Sequence, residues 1–287
     1  APQVKIKWLI DPELHQAKEL ARIHGIPFTS QQYEDAIFDE EVDVIHNCTP
    51  NHFHFVVNKL ALEQGKHVFS EKPLAMTADE GWQLVDLAKE KGKEAGVNFC
   101  YRYYPALLEA RQQLKEKTLG KINLVRGHYL QDWLLYKNDF NWRLLPENSG
   151  CSSVLSDIGC HWFDLIQTLT GERIIKVMAD LGVFHEERLY NDNIIPCHLE
   201  DAGNVLFRLE NGAMGQLCTT QMCAGKKCEI GIEIMTETVS LSWNHERQAE
   251  LKIGTRDKGV NILLDPPLRK ARHNWPLPPQ LPSGHPI

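Results

Sequence analysis

"VDVIHNCTPNHFHFVVNKLALEQGKHVFSEKP", residues 42–73, decides the fold. The run that ends at Cys48 is short and apolar, as in a strand buried within a sheet. Pro50 and Asn51 then form a turn that opens a helix from about His52 to Gln64, and "KHVFS" reads as the next strand. Strand, helix and strand in such close succession predict a βαβ crossover, in which the two strands are parallel.

The same pattern extends to both sides. "VKIKWLIDPELHQAKELARIHGIP", residues 4–27, reads as a strand to Ile10, a turn at Asp11, a helix opened by Pro12 and a stop at Gly25. A short helical stretch is expected near Gln31 to Ile37. A longer one runs from about Ala78 to Lys91, with apolar Trp82, Val85, Leu87 and Ala88. The first third is therefore read as a doubly wound α/β domain on a parallel sheet.

After "EAGVNFCYRYYP" the character changes to a helix ending near Lys117, a long strand "INLVRGHYLQDW" and an irregular Trp-rich stretch. Another helix begins near Ser156. From Ile174 onward strand candidates dominate, and Asn211-Gly212 marks a hairpin turn. These features predict a large, mainly antiparallel, open sheet with helices on one face. A length of 287 residues exceeds what one core usually organises. The expected domains are residues 1–98 and 99–287. The tail "NWPLPPQLPSGHPI" is Pro-rich, and no internal repeat is visible.

Apolar residues make up 43% and charged residues 24% of the chain, an ordinary globular balance. No apolar run approaches the roughly 18 residues of a membrane span. A net charge of -7 supplies no positive field for nucleic acid or an anionic membrane, so a small partner is expected. The eight cysteines, at 48, 100, 151, 160, 197, 218, 223 and 228, are scattered, which points to reduced thiols and a cytoplasmic protein. Cys218, Cys223 and Cys228 lie five residues apart and lack the close pairing of a zinc site. The first residues, "APQVKIKWLI", carry neither a signal peptide's long apolar core nor a cleavage signature.

Three places carry candidate chemistry. Asp11 stands at the carboxyl end of a strand, where dinucleotide-binding folds place an acid for the adenosine ribose; it also suits a helix N-cap. "CTPNHFH", residues 48–54, follows a buried-type strand on the crevice side of a parallel sheet, where Thr49 and Asn51 offer hydrogen-bonding groups. His52 and His54, two residues apart at a helix start, spread around it, and cofactor or solvent contact is expected in place of metal. "VLSDIGCHWFDLIQTLTG" holds Asp157, His161 and Asp164, with the first two four residues apart on one helical face. A carboxylate beside an imidazole orients and tunes a general base. The same aspartate also suits a helix N-terminus.

"CTPNHFH", "GKHVFSEKPLAMT" and "SDIGCHWFDL", in this order along the chain, resemble the glucose-fructose oxidoreductase, inositol dehydrogenase and rhizopine catabolism family (Gfo/Idh/MocA). The likeness runs from Val4 to about Gly171 and continues more loosely beyond. It implies an N-terminal Rossmann domain with a dinucleotide and a C-terminal α/β domain that builds homodimers or homotetramers. It also implies Lys72, Asp157 and His161 as catalytic residues, with His161 the expected proton acceptor and Lys72 either hydrogen-bonding the same oxygen or relaying the proton; which of the two is the formal base is left open by the sequence. Cofactor contacts are expected from Asp11, Thr49, Pro50, Asn51, His54, Glu71 and Lys72, and substrate contacts from Tyr101, Arg102, Trp142, Arg143, Asp157 and His161. Tyr101, Trp133, Tyr136 and Trp142 suit stacking on sugar faces, and equally a core or interface. Asp11 followed by Pro12 favours NAD over NADP.

The implied activity is hydride transfer between nicotinamide and a CH–OH group of a sugar, inositol or glycoside, without metal. A glucoside 3-dehydrogenase and a non-catalytic dinucleotide-binding sensor are the alternatives. Two departures from the family pattern stand out. Only ten residues precede Asp11, too few for the glycine-rich phosphate loop, and Cys100 stands where an asparagine is usual. The chain also ends at "GHPI", so a sequence lacking the first βα unit and the C-terminal end of the fold is expected.

Overall fold

The computed structural model describes residues 4–116 and 119–263. Two units divide the chain, Ala1–Asn98 and Phe99–Ile287.

In the first unit the order is β1 (Trp8–Ile10), α1 (Leu14–His24), β2 (Phe28–Ser30), α2 (Tyr33–Ile37), β3 (Val44–Asn47), α3 (Asn51–Glu63), β4 (His67–Ser70), α4 (Ala78–Lys91) and β5 (Ala95–Val97). All its strand pairs are parallel, as the alternating pattern predicted, in two ladders: β1 with β2, and β3 with β4 and β5. Helix ends follow the local chemistry. Thr77 and Glu80 close a capping box at the start of α4, and Gly25 and Gly92 end α1 and α4 in the left-handed conformation, at φ 67° and 62°. The helices bury Ile37, Val57, Ala61, Leu62, Leu84 and Ala88 around Val68 of β4. Each of the larger aliphatic side chains contributes roughly 1.5–3 kcal/mol by leaving water.

The second unit opens with a 3-10 turn at Cys100–Tyr103 and continues with α5 (Pro105–Lys115), β6 (Ile122–Leu130), a 3-10 turn at Trp142–Leu144 and α6 (Pro146–Ser149). A π turn at Leu155–Gly159 leads into α7 (Cys160–Thr170). Strands follow: β7 (Ile174–Gly182), β8 (Glu187–Tyr190), β9 (Asn193–Pro196), β10 (Ala202–Leu209), β11 (Met214–Thr220), β12 (Glu229–Thr236), β13 (Ser240–Asn244), β14 (Glu250–Gly254) and β15 (Gly259–Leu263). Seven of them join β6 in one eight-stranded sheet, in the order β15-β14-β13-β12-β6-β11-β10-β7. It is antiparallel except where β6 meets β11.

The hairpin expected at Asn211-Gly212 joins β10 to β11, with Gly212 at φ 88°. Helices α5 and α7 cover one face, where Leu107, Ala110, Trp162, Leu165 and Ile166 pack on Val125, Phe207, Leu217, Ile232 and Trp243. Gly127 of β6 makes room for that contact. A Cβ there would sit 2.7 Å from the Trp162 indole nitrogen and 2.0 Å from the Gly231 carbonyl that this nitrogen bonds.

Two expectations are adjusted. The strand "INLVRGHYLQDW" stops at Leu130: Gln131 N still bonds Thr220 O, but its carbonyl turns to Cys223 N and pairing passes into a loop. The helix expected near Ser156 begins instead as the wider π turn, a form that recurs at functional sites. The Pro-rich tail, residues 274–287, lies outside the described residues.

Candidate active site

Apart from Asp11, the predicted residues of the first unit follow the carboxyl ends of β3 and β4, beside that of β5. Backbone bonds knit these ends together, Glu71 N to Asn47 O at 2.8 Å and Asn98 N to Ser70 O at 2.8 Å. Beneath them runs a buried polar chain that the sequence reading did not anticipate. Asn47 Nδ2 donates to Asn58 Oδ1 at 2.8 Å, Asn58 Nδ2 to Ser70 Oγ at 2.9 Å, and Ser70 Oγ to Glu71 O at 3.1 Å. Its signal is visible in retrospect, since a buried polar group inside apolar strands and helices must find partners.

His54 belongs to this scaffold. It is 1% exposed, with Nδ1 2.5 Å from Pro73 O and Nε2 2.7 Å from Thr49 O. The cofactor contact expected of it gives way to a bracing role: the imidazole spans the loop after β3 and the loop after β4 that carries Lys72. Thr49 turns its hydroxyl back to Asn47 Oδ1 at 2.8 Å. Pro50 is the N-cap of α3, and Asn51 starts the helix without a side-chain cap. Glu71 Oε1 accepts from Asn98 Nδ2 at 2.6 Å, and Oε2 from Lys72 N at 3.3 Å. Lys72 stands half-buried between Glu71 and Pro73, across a cis Lys72-Pro73 peptide.

Asp11 Oδ1 accepts from Glu13 N at 2.7 Å, so one carboxylate oxygen shapes the turn into α1. The half-buried side chain remains at the carboxyl end of β1, where an acid meets a ribose in dinucleotide folds. This acid, with the uncapped start of α3, fits a dinucleotide in donor and acceptor chemistry. A cavity of about 890 Å³ lies at the opposite, amino ends of the strands, between Lys5, Lys7, Phe28, Glu41 and Asp43. Ligands of parallel sheets bind at the carboxyl ends, so this cavity is no part of the candidate site.

In the second unit the π turn holds Asp157, 4% exposed, and α7 holds His161, 8% exposed. Glu200 anchors the start of this segment: its Oε1 accepts from Ser152 Oγ at 2.6 Å, Ser153 N at 3.0 Å and Leu155 N at 3.0 Å. Asp157 meets Arg143 Nε at 3.2 Å through Oδ1 and Gln221 Nε2 at 2.7 Å through Oδ2. Arg143 lies over the Trp142 ring, 4.4 Å from its centroid. The expected pair Trp142 and Arg143 is thus wired to the expected Asp157. The His161 ring is held edge-on by Phe99 at 5.7 Å and Tyr101 at 5.0 Å.

Two expected substrate residues are otherwise engaged. Tyr101 is 7% exposed, and its hydroxyl lies 2.8 Å from Tyr129 OH and 3.4 Å from Cys228 Sγ. Burial pushes both phenols well above their ordinary range, so they stay neutral, and Tyr101 serves as a wall for His161. Arg102 makes a bidentate ion pair with Asp164, with Nε 2.7 Å from Oδ2, which raises the guanidinium further and ties the 3-10 turn to α7. Asp164 therefore partners Arg102. Among the described residues no cluster of His, Cys, Asp and Glu is placed to hold a metal, no disulfide joins the eight cysteines, and no helix is long and apolar enough to cross a membrane.

Comparison with known proteins shows the family. Residues 1–99 match the oxidoreductase family with an NAD-binding Rossmann fold, and residues 107–242 match the GFO/IDH/MocA C-terminal domain. Levoglucosan dehydrogenase of Pseudarthrobacter phenanthrenivorans is 32% identical over 302 residues, covering 97% of this chain and 76% of that protein. D-glucoside 3-dehydrogenase of Escherichia coli is 29% identical, over 58% of this chain and 46% of that one. Among solved structures, an oxidoreductase domain protein from Kribbella flavida superposes with a TM-score of 0.89 at 30% identity, over 96% of this chain and 76% of that chain. Levoglucosan dehydrogenase in complex with NADH and levoglucosan gives 0.87 at 31% identity, over 93% and 73%.

Proposed function

The chain belongs to the Gfo/Idh/MocA family of NAD-binding oxidoreductases, and from that premise we propose that it reversibly oxidises a secondary alcohol of a sugar or glycoside. The observation that carries the reading is the Asp157 carboxylate, held at both oxygens by Arg143 and Gln221 on the π turn that leads to His161. A carboxylate fixed in this way orients an imidazole for proton transfer, and His161 accepts the hydroxyl proton. Lys72 stabilises the negative charge that develops on oxygen. Asp11, Thr49, Pro50 and Asn51 would hold NAD, with Glu71 and Lys72 bordering the nicotinamide end; when bound, NAD accepts the hydride. No metal is required, because lysine and histidine supply the polarisation.

Two relatives turn the reading toward glycosides: levoglucosan dehydrogenase and D-glucoside 3-dehydrogenase bear such substrates in their names. The aromatic segment Trp133 to Trp142 supplies flat apolar rings suited to sugar faces. Ranking kcat/KM by NADH absorbance for levoglucosan and simple glucosides against free xylose and myo-inositol tests this. Glycosides should lead by at least about tenfold, and a free polyol leading would reverse the assignment.

A homo-oligomer is part of the proposal. The edge strand β7 exposes Val177, Met178 and Leu181, and on the Met178 face of the sheet Leu206 of β10 and Met214 of β11 are exposed as well, apolar surface suited to a second copy. Sedimentation of the full chain at micromolar concentration should give a multiple of the chain mass, and a strict monomer would remove this part.

A further inference from the structure

We propose that Gln131 and Gln221 are positioning residues, a side-chain relay that ties the orientation of the Asp157 carboxylate to the Trp133 indole. The proposal rests on the reading of Asp157 as part of the chemical machinery.

The two glutamines are brought together by the sheet. β6 and β11 run parallel with Leu130 opposite Thr220, so Gln131 and Gln221 are the next rung beyond the strand ends. The backbone fixes both: Gln131 N bonds Thr220 O at 2.9 Å, Cys223 N bonds Gln131 O at 2.8 Å, and Leu134 N bonds Gln221 O at 3.1 Å. Their side chains are 1% and 2% exposed. Buried amides are costly without partners, and these have them. Gln221 Nε2 donates to Asp157 Oδ2 at 2.7 Å and to Gln131 Oε1 at 3.3 Å, while Gln131 Oε1 also accepts from Trp133 Nε1 at 2.8 Å.

The direction of the chain is forced by its ends. An indole N–H only donates and an ionised carboxylate only accepts. Gln131 must therefore present oxygen to Trp133, and Gln221 must present its NH₂ group to Asp157. Flipping either amide sets like atoms against each other and breaks two contacts. A rotation of the Trp133 ring is thus transmitted to the carboxylate, and neither end moves alone. Trp133 opens the aromatic segment suited to sugar faces, so the relay gives substrate seating a direct route to the group that steadies His161.

The test has two arms. In the first, the full chain with 15N-labelled tryptophan reports the Trp133 indole N–H. Asp157→Ala should shift that resonance and raise its hydrogen exchange at least about tenfold, and the same change made on top of Gln221→Leu should add nothing. An indole signal indifferent to Asp157→Ala, or a response that survives Gln221→Leu, overturns the relay.

In the second arm, Gln221→Leu should lower kcat about tenfold or more with KM within about threefold. Gln221→Glu places a second carboxylate against Asp157, and like charges make both harder to ionise. The acid limb of the kcat profile should then rise by at least about one pH unit. Parent kcat and parent pH profile in both variants overturn the proposal. Because the indole arm needs no turnover, a chain that oxidises no alcohol refutes the functional reading while the relay is still decided.

Discussion

Lys72→Ala in the full chain is expected to lower turnover at least roughly a hundredfold, the scale of losing a positioned proton-transfer or charge-stabilising group. The loop that carries Lys72 is held by several bonds that its side chain does not make. Glu71 N is bonded to Asn47 O, Pro73 O faces His54, and Glu71 Oε1 is held by Asn98. Removal of the side chain should therefore leave the melting temperature within a few degrees of the parent. Dinucleotide affinity should fall far less than turnover. Steady-state NADH formation, with calorimetry on the same sample, checks both statements. Turnover within about threefold of the parent on a good substrate would strip Lys72 of a chemical role.

Arg188→Met is expected to destabilise the second unit by roughly 3–5 kcal/mol, the usual cost of leaving one partner of a buried ion pair alone. The Arg188 side chain is fully buried. Its Nη1 donates to the carbonyls of Leu134, Tyr136 and Asp139 at 3.0, 2.9 and 3.0 Å, and its Nη2 to Asp201 Oδ1 at 2.9 Å. Asp201 Oδ2 in turn accepts from Phe184 N at 2.7 Å and His185 N at 3.0 Å. Arg188 is thus the centre of the loop that carries the aromatic segment. At roughly 2–4 °C per kcal/mol for a unit of this size, its melting transition should drop by about 10 °C. On the proposed reading of this loop as the substrate's seat, KM should rise, and kcat should fall with it through the Trp133–Gln131–Gln221 link to Asp157. A transition within about 2 °C of the parent would show that Arg188 is a passenger.

The fold was legible where local chemistry dictates it. Gly25 ends α1 as expected, Pro12 stands just before its Glu13 N-cap instead of opening the helix, and Asn211-Gly212 turns β10 into β11; each acts over a few residues. The crossover in residues 42–73 followed from two short apolar runs and the Pro50-Asn51 turn between them, because a helix of that length between two such runs has few other solutions. Of the candidate site, spacing alone singled out Asp157 and His161, while Lys72 and Arg143 entered through the family resemblance; the structure wires Arg143 to Asp157.

What escaped the sequence is non-local. The partner of Arg102 stands on α7, Gln221 reaches Asp157 from a strand end, and Glu200 caps a helix whose start lies far before it in the chain. Nothing in the spacing of these residues announces them, since tertiary packing decides which polar groups are buried together. His54 illustrates the point in reverse. Its position after a strand suggested a ligand contact, yet burial beneath the loops turned both ring nitrogens to backbone carbonyls.

The central claim is that this chain moves hydride from a carbinol carbon to NAD. The most direct measurement is mass spectrometry of the dinucleotide after the full chain is incubated with NAD and a glycoside deuterated at its ring carbinol positions. The account predicts one deuterium in the reduced nicotinamide, and none when His161→Asn replaces the parent. Saturable NAD binding with no deuterium transferred from any glycoside, sugar or inositol tried would contradict it and leave a dinucleotide-binding protein without this chemistry.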